Sequence, residues 1–421
     1  MDIGIIGAGA AGLTAAWLLN DNHNVTLFEK QNRLGGHAHT VDVEIDGEMT
    51  AIDAGFDFFS QAMWPTFYRL LNILGAPLRR YPVTVTFHDA DNRRVYPMPF
   101  VRGGRVCWSI FRPDRLSTML QFQRALRRAR PLIAAADTSI TVEQFVEGLN
   151  LGRSFKDEFF YPLLLAAWCV EMDEFKQFAA YDALKYAVLR ETGRFSTFYL
   201  TEVIGGTRVY VNALARALTR DKIKTSADIK LVTRPANRYL VEDAGGAIYE
   251  FDHLIVATNA QEACELTRRL DGTEALRREL SEIGYFKGVI AIHGDRRLMP
   301  ASEKNWSVLN VRHDGAHSSL SVWKRWKSRT PVFKSWVTYE PQPPRPLYFL
   351  TTYDHPKINL RYFEAQRSLA ALQGRNNLWL AGLYTHDIDS HESAILSAVK
   401  VAERLDPQSI NLSRLIESGS L

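Results

Sequence analysis

The sequence has few cysteines, and they form no recognisable pattern. Of its 421 residues only Cys107, Cys169 and Cys264 are cysteines, and they lie far apart in the chain. An odd number of cysteines without a CxxC or Cys/His grouping supports neither a disulfide framework nor a zinc site. We therefore expect a reducing compartment, the cytoplasm, and no bound metal.

The sequence also lacks any apolar run near the ~20 residues that a membrane-spanning helix needs. Its first apolar stretch begins at Ile3 without a basic region before it and contains glycines, which is not the pattern of a signal peptide. The hydrophobic fraction of 46% is that of an ordinary folded protein. We expect a soluble globular protein, long enough for two domains around a large cofactor.

A strong net charge is missing as well. The formal charge is only +4, and no recognisable module accompanies it, so nucleic-acid binding is not expected. Basic residues nevertheless concentrate between Arg102 and Arg130, around the aromatic residues Trp108, Phe111 and Phe122. Two interpretations stay open: a solvated helix face, or a segment that rests on an anionic membrane or marks the entrance for an apolar substrate. The second would place the protein peripherally on the inner face of a membrane.

A glycine-rich loop is the clearest feature that is present. Residues 3–7 are typical of a buried parallel strand, a helical pattern follows the glycines, and residues 25–29 form a second strand, which together predict a βαβ unit. The string Gly7-Ala8-Gly9-Ala10-Ala11-Gly12 fits GxGxxG. Its glycines permit a tight turn, close approach to a pyrophosphate and close packing of helix on strand. The positive end of the helix then faces the phosphates.

The residues after the second strand indicate which dinucleotide binds. Glu29 is placed to accept hydrogen bonds from ribose hydroxyls, and its carboxylate would repel a 2′-phosphate. A second glycine pair, Gly35-Gly36, lets the chain pass close beside the cofactor and leaves Arg33 able to meet phosphate. An extended FAD requires such contacts, whereas an NAD-only enzyme does not.

The remaining pattern predicts an α/β fold in which two domains interleave. A Rossmann-type FAD-binding domain with a parallel sheet is predicted from residues 1–66, 196–283 and 375–421. A mixed-sheet and helical substrate domain is predicted from residues 67–195 and 284–374, with a helical insertion at about 100–194. A hairpin is expected over residues 41–53, a helix start within residues 137–141, and a kink or helix start near Pro162.

With these motifs the chain resembles the flavin-containing amine oxidase superfamily, which includes monoamine oxidases, protoporphyrinogen oxidases, phytoene desaturases and some FAD-dependent fatty-acid isomerases. The likeness covers nearly the whole chain and extends to a bacterial subgroup of amine oxidase-like proteins. The strings that carry it are Arg33-Leu34-Gly35-Gly36-His37, Asp53-Ala54-Gly55-Phe56, Gly205-Gly206-Thr207, residues 254–259, Leu380-Ala381-Gly382 and His391-Glu392-Ser393-Ala394. Many relatives have arginine in place of His37 and proline in place of Asn259.

The resemblance implies a non-covalently bound FAD and, with the loop motifs, a set of cofactor-binding residues. These are Gly7, Gly9, Ala10, Ala11, Gly12, Glu29, Lys30, Arg33, Gly35, Gly36, His37, Gly55, Phe56, Val232, Ala257, Thr258, Gly382, His391, Glu392 and Ser393. For Glu392 a simple helix cap is the alternative, and His293 and Asp295 fit a turn with satisfied polar groups better than an acid or base.

An aromatic and apolar stretch, residues 159–181, lies where relatives build a substrate tunnel, although ordinary core packing would produce the same pattern. The predicted substrate-pocket residues are Phe160, Leu164, Trp168, Gly206 and Tyr384. Because the flavin carries out the redox chemistry, a catalytic acid or base need not exist. Tyr384 and His391 are the candidates for one.

Three functions are weighed on this basis. The first is an FAD-dependent oxidase or dehydrogenase that removes hydride from a C–N or C–C bond of an apolar molecule, such as an acyl chain, a pigment precursor or a carrier-bound derivative. The second is a redox-neutral isomerase that moves a double bond of an acyl or polyene substrate. The third is an accessory protein that binds flavin without catalysis.

Overall fold

The computed structural model describes residues 1–98, 101–102, 105–106, 112–189 and 198–416, with no side-chain detail for residues 101–102 and 105–106. Cys107 and the aromatic residues Trp108 and Phe111 of the basic segment lie outside these ranges, whereas its third aromatic residue, Phe122, is described. The basic part falls on a described helix.

The described strands supply every sheet of the fold. They are β1 (Asp2–Ile6), β2 (Asn24–Phe28), β3 (Thr40–Ile45), β4 (Glu48–Asp53), β5 (Leu78–Val83), β6 (Val85–Asp89), β7 (Val95–Met98), β8 (Val101–Arg102), β9 (Arg105–Val106), β10 (Phe198–Val203), β11 (Ile223–Lys224), β12 (Ile229–Thr233), β13 (Tyr239–Asp243), β14 (Ile248–Phe251), β15 (His253–Val256), β16 (Tyr285–His293), β17 (Leu309–His313), β18 (Ser318–Val322), β19 (Phe333–Trp336), β20 (Leu347–Pro356) and β21 (Leu378–Leu380).

The described helices include a run of six between β9 and β10. They are α1 (Ala10–Leu19), α2 (Pro65–Ile73), α3 (Pro113–Ala134), α4 (Val142–Glu147), α5 (Arg153–Phe155), α6 (Tyr161–Leu165), α7 (Met172–Lys176), α8 (Ala180–Val188), α9 (Arg208–Arg216), α10 (Ala260–Leu266), α11 (Glu274–Ser281), α12 (Leu360–Leu372), α13 (His391–Leu405) and α14 (Ile410–Ile416). None of the helices in the described ranges combines the length and hydropathy that a membrane crossing requires.

The first sheet is parallel and has five strands in the order β11-β2-β1-β15-β21. Its central strands are apolar on both faces, since the paired residues Ile5 and Leu27 on one face and Ile6 and Phe28 on the other are all buried, as expected where helices cover both sides of a parallel sheet. Every residue of α1 is buried, and α1 packs against α9 and α13. The predicted βαβ unit is confirmed.

The second sheet is mixed and has seven strands in the order β20-β16-β19-β18-β17-β6-β7. All its neighbours are antiparallel except β17 and β6, which run parallel. The predicted α/β class, with a parallel sheet and a separate mixed sheet, is confirmed. The strands of the parallel sheet fall in the ranges assigned to the FAD-binding domain, and those of the mixed sheet fall in the substrate-domain ranges; the exact boundaries stay a prediction.

Helices α3 to α8 form the predicted helical insertion within the described residues. Thr141 and Gln144 make a capping box at the start of α4, where a helix start was expected. Before Pro162 the chain makes a π-helical turn over Lys156–Phe160, which passes directly into α6. Within this turn Phe159 lines the large cavity, whereas Phe160 is completely buried and stacks on Phe155 at 5.5 Å between ring centroids. The predicted kink therefore takes the form of a change in helix type.

Candidate active site

One cavity of about 1100 Å³ extends from the glycine loop after β1 to the mixed sheet and the helical region. Pockets for drug-sized ligands span about 300–1,000 Å³, so this cavity exceeds the space that one small ligand needs. We call its two parts the nucleotide end, around Gly9, and the substrate arm, around Phe159.

Backbone atoms form most of the nucleotide end. Gly35 N donates to the carbonyl of Ala8 at 2.8 Å, which brings the two glycine segments together. Gly36 has φ +57°, and a Cβ on it would lie 3.2 Å from Gly9 Cα. A Cβ on Gly9 itself would meet nothing within 4 Å. The result is a cradle between Gly9 and Gly36 that only glycines leave open.

The start of α1 supplies hydrogen-bond donors to this cradle. Gly9 is the N-cap of α1 and makes no side-chain cap, while Gly9, Ala10 and Ala11 all line the cavity. The first N–H groups of a helix have no partner within the helix, and its amino end carries partial positive charge. This end of the cavity therefore suits a phosphate group.

Glu29 lies beside the cradle, at the end of β2. Its carboxylate accepts hydrogen bonds from Ala8 N and Gln31 N, both at 2.9 Å, and lines the cavity. An ionised carboxylate has further lone pairs, so Glu29 retains capacity for ribose hydroxyls. Next to it Lys30 forms an ion pair with Glu262, and both residues also line the cavity.

These features fit the ADP half of FAD. The open cradle matches a pyrophosphate, the uncapped start of α1 matches its charge, and Glu29 matches the ribose. Beyond Gly36 the cavity continues past His37, Gly55 and His391, which leaves room for the flavin half. Among the described residues no cluster of histidine, cysteine, aspartate or glutamate side chains suits a metal ion.

Two neutral histidines lie at the centre of the cavity. His391 stacks on Phe56 with 4.4 Å between ring centroids and 2° between ring planes, and its Nε2 lies 2.7 Å from the hydroxyl of Tyr210. Burial lowers the pKa of His391 to about 3. Burial, with a contribution from nearby His355, lowers the pKa of His37 to about 4. Both rings are therefore uncharged at neutral pH.

A buried charged cluster holds the segment that follows β4. Lys334 Nζ lies 2.8 Å from the carbonyl oxygen of Gly55 and 3.0 Å from a carboxylate oxygen of Asp57. Lys324 contacts the same carboxylate at 3.4 Å and that of Glu202 at 2.9 Å. Burial alone would raise the pKa of Asp57, but the two lysines outweigh it and lower that pKa. Burial lowers the pKa of Lys334, which faces the cavity.

Tyr384 contributes a polar atom without a partner. Its side chain is only 1% exposed, it lines the cavity, and its hydroxyl has no hydrogen-bond partner among the described residues. A buried hydroxyl without a partner is costly, so this group is available to a bound molecule.

The substrate arm is lined mainly by apolar side chains from several elements. They are Val85, Met98, Met119, Phe122, Phe159, Leu163, Leu164, Trp168, Leu309, Val311 and Leu320. Trp168 directs its indole N–H to Asp182 at 3.1 Å, which leaves its ring for the cavity. Arg115 of α3 brings a charge to this arm. Such a surface favours an apolar ligand.

Most of the residues predicted from the sequence line this cavity. They are Gly7, Gly9, Ala10, Ala11, Glu29, Lys30, Gly35, Gly36, His37, Gly55, Phe56, Ala257, Thr258, Gly382 and His391 at the nucleotide end and centre, with Leu164, Trp168 and Tyr384. The other predicted residues, which lie outside its wall, are Gly12, Arg33, Val232, Glu392, Ser393, Phe160 and Gly206.

Three of these outlying residues support the wall from behind. A Cβ on Gly12 would lie 1.9 Å from the carbonyl oxygen of Gly7, so Gly12 permits α1 to pack on the loop. Arg33 donates to the carbonyl of Gly36 at 2.9 Å and holds the second glycine pair. Glu392 accepts from the backbone N–H groups of Thr66 and Phe67 at 2.8 and 2.7 Å. It therefore caps α2 and not its own helix.

The other four are Val232, Ser393, Gly206 and Phe160, of which Phe160 stacks on Phe155. The side chain of Val232 is buried in β12. Ser393 bonds with Ser390 at the start of α13. Gly206 packs so closely on Thr40 that a Cβ would lie 2.4 Å from Thr40 Cγ2. The resemblance to a family pattern gave their positions, and the side chains face other parts of the fold.

Several lining residues carried no signal that pointed to the site. Lys334 and Trp336 come from β19, Ala227 and Asp228 directly precede β12, and Ile229 begins it. Asp389 and His355 form a pair at 3.0 Å. Only folding brings them to the cavity.

Comparison with known proteins agrees with this geometry. Residues 10–297 match the family described as flavin containing amine oxidoreductase. The chain belongs to this family. It is therefore an FAD-dependent oxidoreductase, as the loop motifs and the resemblance predicted. No curated protein matches the chain significantly.

Several solved structures resemble this family member over nearly their whole length. A fatty acid isomerase from P. acnes that produces CLA has a TM-score of 0.71 and 15% identity, with 96% of this chain and 98% of that chain covered. Cyclohexylamine oxidase from Brevibacterium oxydans IH-35A has a TM-score of 0.64 and 17% identity, with 96% and 99% covered. A triple mutant of putrescine oxidase has a TM-score of 0.69 and 14% identity, with 97% and 99% covered. At these identities the likeness shows the fold.

Proposed function

We propose that this oxidoreductase dehydrogenates a C–N or C–C bond of an apolar molecule that lies in the substrate arm, by removal of a hydride from one carbon of that bond and loss of a proton from the other atom. The observation that supports this proposal is the continuity of the cavity, in which an apolar arm joins the nucleotide end at Phe56 and His391. An acyl chain or another extended hydrocarbon fits the lining better than a short polycation such as a diamine, because the arm offers few carboxylates.

The chain's own residues would position the reactants and exclude water. FAD, when bound, supplies the hydride acceptor at its N5. Leu164, Phe159 and Phe122 would displace water from the substrate, while Tyr384 would offer its hydroxyl to a polar group of either ligand. Lys334 would hold a proton beside the carbonyl of Gly55, in the segment that passes the centre of the cavity.

The same cavity would suit a redox-neutral isomerase, for which the likeness to a fatty acid isomerase fold is the specific observation. The two functions differ in the fate of the hydride, which an isomerase returns to the substrate. A cytoplasmic location, with contact to the inner face of a membrane, belongs to the same proposal, because apolar substrates are stored in bilayers.

The test is anaerobic spectroscopy of the purified holoprotein with oleic acid, linoleic acid and cyclohexylamine, followed by mass spectrometry of each product. Lasting bleaching of the flavin and a product two mass units lighter would support oxidation. Unchanged mass with a moved double bond would support the isomerase. The proposed acyl substrate class is wrong if two results occur together. The acyl probes leave the flavin oxidised and are themselves recovered with unchanged mass and structure, while the amine reduces the flavin.

A further inference from the structure

Helix α3 exposes two large apolar side chains close to the substrate arm. Leu116 is 40% exposed and Leu120 is 58% exposed, and their spacing of four residues places them on one helix face. The neighbouring face of the same helix carries Met119, Phe122 and Gln123, which line the arm. The exposed leucines and the wall of the arm are therefore parts of one helix.

The second half of α3 is strongly basic on its exposed side. Arg124, Arg127, Arg128 and Arg130 are exposed, and the chain has no acidic residue between Arg115 and Ala134. None of these four arginines forms an ion pair with another residue in the described ranges. We call Leu116, Leu120 and these four arginines the α3 face.

We propose that the α3 face docks on an anionic phospholipid bilayer and that the substrate arm receives its substrate there. The charge of the face complements the negative surface of a membrane that contains anionic lipids. Apolar and basic side chains together are typical of segments that lie in the membrane interface. Only the receipt of substrate rests on the proposed apolar substrate, because docking itself requires no turnover.

The dimensions of the helix suit this arrangement. At 1.5 Å rise per residue, Leu120 and Arg127 are separated by roughly 10 Å along the axis. A tilted helix would therefore place its leucines at the boundary of the acyl chains and keep its arginines among the phosphates. Because Met119 lies between the two leucines in sequence and lines the arm, the arm would meet the bilayer at the depth of the acyl chains.

The experiment is sedimentation of the FAD-loaded full chain with vesicles, without substrate. One set of vesicles is phosphatidylcholine alone, and the other contains 30% phosphatidylglycerol. We expect binding to the anionic vesicles, weaker binding in 0.5 M salt, and little binding to the neutral vesicles.

Two variants divide the α3 face into its charged and apolar parts. Removal of three arginine charges should weaken binding roughly 100-fold, and replacement of both leucines by serine should weaken it roughly tenfold. The variants are Arg124→Gln/Arg127→Gln/Arg128→Gln and Leu116→Ser/Leu120→Ser. The control is Arg216→Gln/Arg325→Gln/Arg329→Gln, which removes the same number of charges from exposed arginines outside the α3 face. It should bind anionic vesicles as the unmodified protein does.

Flavin absorbance and the melting temperature show whether each variant is folded, so a folding defect cannot imitate a loss of docking. The proposal is overturned if the unmodified protein does not bind anionic vesicles, or if the α3 variants bind them as well as the control does. Absence of vesicle binding with retained oxidation of acyl probes would overturn the docking proposal alone and would leave the proposed function standing.

Discussion

The two ends of the cavity are built in different ways. At the nucleotide end, Gly9, Gly36 and the start of α1 present backbone atoms, and the residues that matter are close together in sequence. In the substrate arm, side chains such as Phe122, Leu164 and Leu320 come from a helix, a helical turn and a strand that lie far apart in the chain. The nucleotide end depends on the space that glycines leave open, whereas the substrate arm depends on many side chains that form its wall together. Single changes should therefore have large effects at the first and small effects at the second.

The largest effect is expected for Gly9→Val. Gly9 has φ −75°, which any residue adopts, and a Cβ there meets no protein atom within 4 Å. The fold should persist, while the side chain fills the space of the phosphates and weakens FAD binding about 100-fold or more. Titration of the apoprotein with FAD by flavin fluorescence measures the change, with thermal unfolding in parallel.

Gly12→Ala is the matched control for this change. Its Cβ would lie 1.9 Å from the carbonyl oxygen of Gly7, so it should lower the melting temperature itself. Should Gly9→Val bind FAD as tightly as the unmodified protein does, the cradle would not be the phosphate site.

The second largest effect on FAD binding is expected for Glu29→Ala. This change removes the acceptor for Ala8 N and Gln31 N and the predicted ribose contact, and hydrogen bonds to charged groups contribute about 1.5–3 kcal/mol. We expect FAD to bind roughly 50-fold more weakly. Glu29→Gln keeps one acceptor oxygen, so its affinity for FAD should lie between those of the unmodified protein and of Glu29→Ala in the same titration. Equal affinities for all three proteins would show that Glu29 does not contact FAD.

The third effect concerns His391, which lies between the nucleotide end and the substrate arm. The pH dependence of the free energy of unfolding tests whether its ring stays neutral. Its pKa is lowered to about 3, so the unfolded chain, with a histidine pKa of about 6.5, binds the proton more readily. Stability is therefore complete above about pH 6.5 and falls as the pH decreases below it. Between pH 7 and pH 5 this one ring should contribute a loss of about 2 kcal/mol.

His391→Gln should remove that part of the loss in urea unfolding measured at pH 7, 6 and 5. Tyr210→Phe keeps the histidine while it removes the hydroxyl at 2.7 Å, and should retain the pH dependence. An unchanged slope in His391→Gln would mean that the ring is accessible to protons in the folded protein.

The smallest effect is expected in the substrate arm. Leu164→Trp adds volume to a wall that many residues share, so we expect kcat/KM for a long acyl substrate to fall only about tenfold, with FAD affinity unchanged. Steady-state kinetics with a long and a short substrate would measure this effect. Ile248→Trp, at a residue 63% exposed on β14, is the control; a loss of FAD from Leu164→Trp would show that the two ends are not independent.

The same contrast explains what the sequence could predict. The glycine loop, Glu29 and the βαβ unit were predictable because turn geometry, close approach and strand order are local properties. Phe160 was assigned to the pocket and Phe159 was not, because one extra residue in a helical turn decides which ring faces the cavity. Lys334 escaped prediction since it meets Asp57 only when β19 packs beside the segment after β4. Local chemistry can be read from a sequence, whereas a wall assembled from distant elements requires the fold.

The π-helical turn at Lys156–Phe160 also bears on how such a wall diversifies. A π-helical turn accommodates one residue more than an α-helical turn does, and each residue of an α-helix turns the chain by about 100°. Deletion of one residue there would rotate the preceding segment about the helix axis relative to α6. Different aromatic rings would then face the cavity. In this protein a change of length by one residue would alter the shape of the arm more than most replacements of a single side chain.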